Sequence, residues 1–166
     1  MIILGIDPAL GKTGWGVIRK SGSALHFLGC GLIKTSAQTP LPNRLAYLHE
    51  HIADVIKDWQ PDEAAVEETF VNRNPADALK LGQARGVLLA VPALYGIPTS
   101  EYSANKIKKS VVGTGHAGKD QVGMMVKTLL PTCGKPSSDE ADALAVAITH
   151  AHYSSVNTRI LNMVNA

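Results

Sequence analysis

Two periodicities divide this chain. Residues 2–7, IILGID, form an apolar run that ends on an acid, and residues 13–20 and 24–35 resume β-like runs after the turns PALGK and KSGS. Short apolar runs separated by Gly, Pro and Ser turns predict an antiparallel meander. The period then changes: Leu45, Leu48, Ile52, Val55, Ile56 and Trp59 share one helical face, which predicts a helix over 41–59 stopped by QPDE. AAVEE at 64–68 is a short strand that enters the loop TFVNRN. Pro75 in the first turn after Asn74 predicts a helix over 75–95. IPTSEY at 97–102 predicts a further strand, and SANKIKKSVVG a short helix capped by Ser103. KDQVGMMVKTLL is a helix ended by Pro131, and SSDEADALAVAITHAH is a helix with Ser137 and Glu140 as a capping box. Residues 154–166 read as a weakly structured C-terminal tail behind one domain over 1–153. The order predicts an α/β fold, an antiparallel edge on a sheet that continues in parallel. Such sheets take ligands beyond their strand ends.

Composition narrows the class. A chain of 166 residues with 45% hydrophobic and 18% charged content is ordinary for a globular protein with one core. Cys30 and Cys133 have no partner at metal-ligand spacing, which points to a reducing, cytoplasmic setting. No secretory leader is expected, and no apolar run nears the roughly 20 residues of a membrane helix. Net charge is only +2, but Lys106, Lys108, Lys109, Lys119, Lys127 and Lys135 face a single acid, Asp120, over that stretch. Such a stretch suits a polyanion as well as it suits a solvated surface.

The acids change the picture. Asp7 closes an apolar run, where a carboxylate must be paired, neutralised or used as a turn cap. AAVEE also ends in acid, and alternation does not choose between Glu67 and Glu68. Asp139 and Asp142 lie three apart on a helical face that continues into Ala143, Val146 and Ala147. Attraction to the helix N-terminus accounts for Asp139 better than for Asp142, because Glu140 already serves the cap. If Asp7, Glu67, Asp139 and Asp142 converge, each pair about 4 Å apart repels by about 4 kcal/mol at an effective dielectric near 20. Protons or cations must then compensate, and hard oxygen ligands favour Mg²⁺ or Mn²⁺. Two such ions about 4 Å apart can clamp a phosphodiester. Setting those four acids aside leaves 16 basic against 10 acidic residues.

GIDPALGKT is not a nucleotide phosphate loop, since five residues rather than four separate Gly5 from Gly11 and Asp7 would oppose a phosphate. Its strand–Asp–turn–strand order is similar to the first phosphate motif of the actin and sugar-kinase superfamily, whose two-lobed members are much longer. Nucleotide binding is a distant option.

Four segments, ILGIDPALGKTGWGVI, AVEETFVNRNPADALKLGQARGV, KIKKSVVGTGHAGKDQV and DEADALAVAITHAH, carry a closer likeness. Over residues 2 to 153 the chain resembles the RuvC family of bacterial Holliday-junction resolvases. The resemblance implies an RNase H-like fold with a five-stranded mixed sheet, strands one to three antiparallel, flanked by helices. It implies a cytoplasmic homodimer that nicks opposed strands of a four-way DNA junction with Mg²⁺ or Mn²⁺, two ions per site. Branch-migration proteins of the same pathway are implied partners. The family's catalytic, metal-holding acids land on Asp7, Glu67, Asp139 and Asp142, which selects Glu67 over Glu68. Its catalytic lysines land on Lys108 and Lys119, and its junction-contacting aromatic on Phe70. Arg73, Lys106 and Lys109 are further candidate DNA contacts, with surface or turn roles as the structural alternative.

Ala9 stands where the family commonly has Gly, which questions the turn beside Asp7, and Trp15 stands where it commonly has Tyr. Gly82 and Gly86, four apart in the helix over 75–95, weaken it by roughly 1 kcal/mol each unless packing requires them. Their own sheet is one partner, and the resemblance implies the dimer axis as the other. His150 and His152 point in different directions and read as structural or surface residues. The alternatives to a junction resolvase are an RNase H-like nuclease on RNA or RNA–DNA hybrid, and a junction-binding module that does not cut.

Overall fold

The N-terminal runs pair as their turns require. In the computed structural model, which describes residues 1–69 and 74–164, β1 (Ile2–Asp7) is antiparallel to β2 (Lys12–Ser21), and β2 to β3 (Ala24–Lys34). On its other edge β1 pairs in parallel with β4 (Glu63–Glu68), and β4 with β5 (Thr99–Ser103), giving the order β3-β2-β1-β4-β5. This is the five-stranded mixed sheet that the pattern predicted.

Strand alternation sorts the sheet into two faces. Leu4, Ile6, Val17, Ala64 and Val66 meet Leu48 and Ile52 of α1 (Leu41–Trp59) and Leu88 and Val91 of α2 (Pro75–Leu94). On the opposite face Ile3, Ile18 and Ala65 meet Ile107 of α3 (Ala104–Val112), Val126 of α4 (Lys119–Leu129) and Leu144 and Ile148 of α5 (Ser138–Val164). The period places Asp7 with Ile3, and Glu67 with Ala65, on this second face.

α5 is seated almost on the strands. A Cβ on Gly5 would lie 2.2 Å from the Ala143 carbonyl oxygen, and one on Gly14 would lie 2.1 Å from that of Asp139. Only glycine permits so close an approach. Gly14 is the antiparallel partner of Asp7, so this seat brings the first turn of α5 beside the end of β1. Every residue from Ala143 to Ile148 is buried, as a helix lying on a sheet with other helices against it requires.

The helix ends follow local chemistry. Asn74 Oδ1 accepts from the Ala76 N–H at 2.9 Å, and Gln60 ends α1 in the left-handed region at φ 46°. Glu140 Oε2 accepts from the Ser137 N–H at 2.7 Å, one half of the predicted capping box. Ser103 stands at the start of α3 but makes no side-chain capping bond. The weakly structured tail expected after residue 153 is corrected, because α5 continues as helix to Val164.

Gly82 and Gly86 do not pack on their own sheet. Apart from its own helix, a Cβ at either position would meet nothing among the described residues within 4 Å.

Candidate active site

The four acids reach the site from three elements. Asp7 ends β1, Glu67 lies next to last in β4, and Asp139 and Asp142 stand at the start of α5, Asp139 in its first turn. Asp7, Glu67 and Asp142 line a cavity of about 250 Å³ with Thr69, Lys108 and Lys119. Asp139 stands beside them, close enough for its charge to act on Asp7.

The electrostatics show a surplus of negative charge. Burial, and then the charges of Glu67, Asp142 and Asp139, push the Asp7 carboxyl up to about 7, with Lys119 opposing. Burial and then Asp142 raise Glu67 as well, although a hydrogen bond from Asp7 and the charges of Lys119 and Lys108 pull the other way. Burial and mutual repulsion thus push both carboxyls upward together. Local structural roles beside the acids fall to other groups: Glu140 caps α5, and the β1–β2 turn is tied by the Thr13 hydroxyl donating to the Ala9 carbonyl at 2.5 Å.

Lysines hold the outer two acids. Lys119 Nζ lies 3.3 Å from Asp142 Oδ2, and Lys12 Nζ lies 3.4 Å from Asp139 Oδ2. Lys119 sits in the first turn of α4, where a cation opposes the helix dipole. Asp142 first, then Asp7 and Asp139, raise its ammonium above the usual lysine range. Lys12 is a site neighbour that the sequence motifs did not single out. Its signal was its place on the turn that follows Asp7.

The other predicted residues divide. Lys108 lines the cavity, whereas Lys106, two residues earlier and so on the opposite side of α3, lies with Nζ 4.9 Å from the Tyr102 ring centroid and 4.3 Å from that of Tyr153. Lys106 thus faces away from the acids, and Lys109 is exposed. Phe70 and Arg73 lie outside the described residues. His150 is a buried structural residue, with Nδ1 2.9 Å from the Tyr102 hydroxyl and Nε2 2.5 Å from Glu63.

Comparison with known proteins decides the family. The family model of crossover junction endodeoxyribonuclease RuvC matches residues 3–150. The chain belongs to the RuvC family. It is 56% identical over 164 residues to the crossover junction endodeoxyribonuclease RuvC of Paramagnetospirillum magneticum, covering 99% of each chain. It is 61% identical over 149 residues to the RuvC of Methylocella silvestris, covering 90% of this chain and 85% of that one. Its fold matches Thermus thermophilus RuvC, solved in complex with a Holliday junction substrate, with a TM-score of 0.89 and 36% identity over 95% of this chain and 97% of that one.

Within that family the departure at Ala9 is benign. Gln60 alone among the described non-glycine residues has positive φ, so Ala9 holds an ordinary conformation. Trp15 lays its indole over Gly31, with Cζ2 2.7 Å from where a Cβ would stand.

RuvC-family membership is consistent with dependence on a divalent metal, and the donor set fits one: hard carboxylate oxygens, partly buried and short of positive charge. Among the described residues no three acid, His or Cys groups converge into a ready-made ion cage.

Proposed function

We propose that this chain is a junction resolvase that hydrolyses phosphodiester bonds of four-way DNA junctions, cutting two opposed strands as a homodimer. One observation carries the reading: three acids of a RuvC-family chain meet Lys108 and Lys119 around a single cavity. Curated relatives bear the name crossover junction endodeoxyribonuclease, and a relative from Thermus thermophilus was solved with a junction.

Asp7, Glu67, Asp139 and Asp142 would hold two Mg²⁺ ions, with Mn²⁺ as substitute. Ions bound by such a set supply an activated water and stabilise the leaving oxygen. Lys119 and Lys108 present ammonium groups to the scissile phosphate from one side of the cavity. The ion pair with Asp142 positions Lys119 before substrate arrives. The products carry a 5′-phosphate and a 3′-hydroxyl. Phe70 and Arg73, between β4 and α2, are proposed to touch the crossover, Phe70 by stacking on a base. Lys109 is a proposed phosphate contact on the rim. Lys106 would serve there only if it left the two rings.

The outer face of α2 supports the dimer. Leu79 and Leu94 are 65% and 74% exposed, and Gly82 and Gly86 lie open between them. A helix apolar on its free side as well as its packed side calls for a cover, and a second copy about a two-fold axis matches the symmetry of the junction. Branch-migration proteins of the same pathway are the proposed further partners, in the bacterial cytoplasm. No helix among the described residues is long and apolar enough to cross a membrane. Residues 1–153 form the proposed nuclease domain, with 154–166 as its C-terminal extension.

The test compares a synthetic four-way junction, linear duplex and RNA–DNA hybrid, with Mg²⁺ or with EDTA. Paired symmetric nicks in the junction alone, abolished by EDTA, are expected. Preferred cutting of the hybrid would support the RNase H-like alternative. Junction binding without cleavage would support the non-cutting module.

A further inference from the structure

Three recesses beyond the ends of β1 and β4 share lining residues. Thr69 lines both the acid cavity and a second recess of about 410 Å³, walled by the β1–β2 turn and the first turns of α1 and α2, into which Arg44 and Lys80 reach. On the far side Lys119 and Asp142 line both the acid cavity and a third recess of about 450 Å³ that includes Lys127. Arg44 and Lys80 thus stand on one side of the site acids and Lys127 on the other, with Asp77 and Asp120 as the outlying acids. Such a charge order suits a phosphodiester strand whose middle phosphate sits where cations are to be held.

We propose that Arg44 is a phosphate clamp: its recess, with Lys80, takes a backbone phosphate of the cleaved strand next to the scissile one. The clamp rests on the junction-cleavage reading above and adds a binding subsite to it.

The side chain is prepared for such a ligand. Arg44 Nε donates to the Thr35 hydroxyl oxygen at 2.9 Å. That hydroxyl donates to the Leu10 carbonyl, and the Thr35 N–H donates to the Gly11 carbonyl at 3.0 Å. The guanidinium is thereby bolted to the turn that follows Asp7, and its position is tied to that of the acids. A guanidinium has five N–H donors, and this bolt uses one. Among the described residues no carboxylate lies within ion-pair distance of Arg44, whereas Glu101 closes on Arg85 at 2.5 Å. A planar fork held at its base, with its outer edge unpaired, is the geometry that grips phosphate.

A second observation lies on the wall between the two cavities. The Thr69 hydroxyl oxygen is shielded from solvent and has no hydrogen-bond partner among the described residues. A phosphate oxygen entering the recess would accept from it. Asp77 lines the same recess, so two cations face one acid there and a single phosphate balances the recess. If Arg44 served only to staple α1 to the turn, the Nε bond would suffice and Lys80 would have no part.

The experiment measures binding of a fluorescent four-way junction in EDTA, where no cutting occurs, over a series of KCl concentrations. Arg44→Gln is expected to weaken binding about 5- to 10-fold and to lower the slope of log affinity against log salt by about one. Lys80→Gln, at an exposed position, should lower the slope by a similar amount without a folding cost. Single neutral methylphosphonates, placed in turn beside the cut, then locate the contact. One position should weaken the wild type several-fold and Arg44→Gln not at all. The same methylphosphonate penalty in both proteins at every position, or an unchanged salt slope in Lys80→Gln and Arg44→Gln, would overturn the clamp. Should circular dichroism show Arg44→Gln unfolded, Lys80→Gln and Arg44→Lys carry the comparison. An unchanged slope in the first, with wild-type position dependence in the second, would overturn it equally. Inorganic phosphate at millimolar concentration should not compete, which separates strand recognition from capture of a free anion; full competition would contradict a strand subsite. A wild type that neither prefers nor cuts junctions would defeat the junction reading by itself, while a wild type that cuts beside unaltered variants would defeat only the clamp.

Discussion

Glu63 and Glu67 stand on one strand, four residues apart, and both face α5, yet their surroundings differ. Glu63 accepts from His150 Nε2 at 2.5 Å, and the Tyr102 hydroxyl donates to the other ring nitrogen at 2.9 Å. Glu63 can only accept, which fixes the tautomer and closes the chain of hydrogen bonds. Glu67 meets more acid: burial and then the Asp142 charge raise it, and Asp7 stands beside it. One carboxylate is balanced by a histidine and a tyrosine of the chain, and the other faces a surplus of negative charge. The difference teaches that a buried acid marks function when its protein partners fail to balance it, and structure when they succeed.

Neutralising each acid in turn should break the comparison most sharply. Glu67→Gln is expected to cut junctions roughly 10³-fold more slowly, a loss of about 4 kcal/mol of transition-state stabilisation, while still binding them in EDTA. Glu63→Gln should cut within about threefold of wild type. Single-turnover nicking of a labelled junction distinguishes the two, and comparable losses in both would erase the contrast.

Stability should respond in the opposite order. His150→Ala leaves Glu63 without its partner, and about 2–3 kcal/mol of destabilisation follows. Thermal melts should show the midpoint lowered by about 4–10 °C for a chain of this size. An unchanged midpoint would remove the structural half of the comparison.

How much of this was legible in the chain varies with the kind of signal. Helical spacing in α1 and the Asn74–Pro75 cap of α2 are local, and both elements lie where the pattern placed them. The four acids were legible through strand and helix ends together with the family likeness. The choice of Glu67 over Glu68 came from the family likeness alone, because AAVEE is ambiguous by alternation until Ala64 and Val66 are seen to pack on α1 and α2 while Ala65 packs under α5. Gly5 and Gly14 carried an unread signal: glycines inside strands mark where a helix backbone comes down on the sheet. The bolt from Arg44 to Thr35 spans two elements, and no periodicity announces it. The helical course of residues 154–164 lacked any stop or start signal to read.

A smaller effect concerns pH. In metal-free protein Asp7 binds its proton more tightly when folded, at about 7 against an ordinary 3.8. Its share of stability is therefore full below the unfolded value and lost as pH rises through the folded one. Melts in EDTA should show stability falling by up to a few kcal/mol from about pH 4 to about pH 7 on this account, and Asp7→Asn should flatten that fall. A slope unaffected by Asp7→Asn would mean that the acid cluster is not strained.

The least effect belongs to Lys12. Its ammonium is half exposed beside Asp139, so Lys12→Met should change stability by less than about 0.5 kcal/mol. Removing a competing cation should at the same time tighten Mn²⁺ binding about two- to threefold in the absence of DNA. Weaker Mn²⁺ binding would show Lys12 to be a support for the acids instead.

The central claim is that Glu67, unlike Glu63, belongs to a set of oxygens completed by divalent cations. Calorimetric titration of Mn²⁺ into the DNA-free protein tests it directly. Wild type and Glu63→Gln should bind alike, and Glu67→Gln should bind at least about tenfold more weakly. Equal Mn²⁺ affinity in all three proteins would contradict the account.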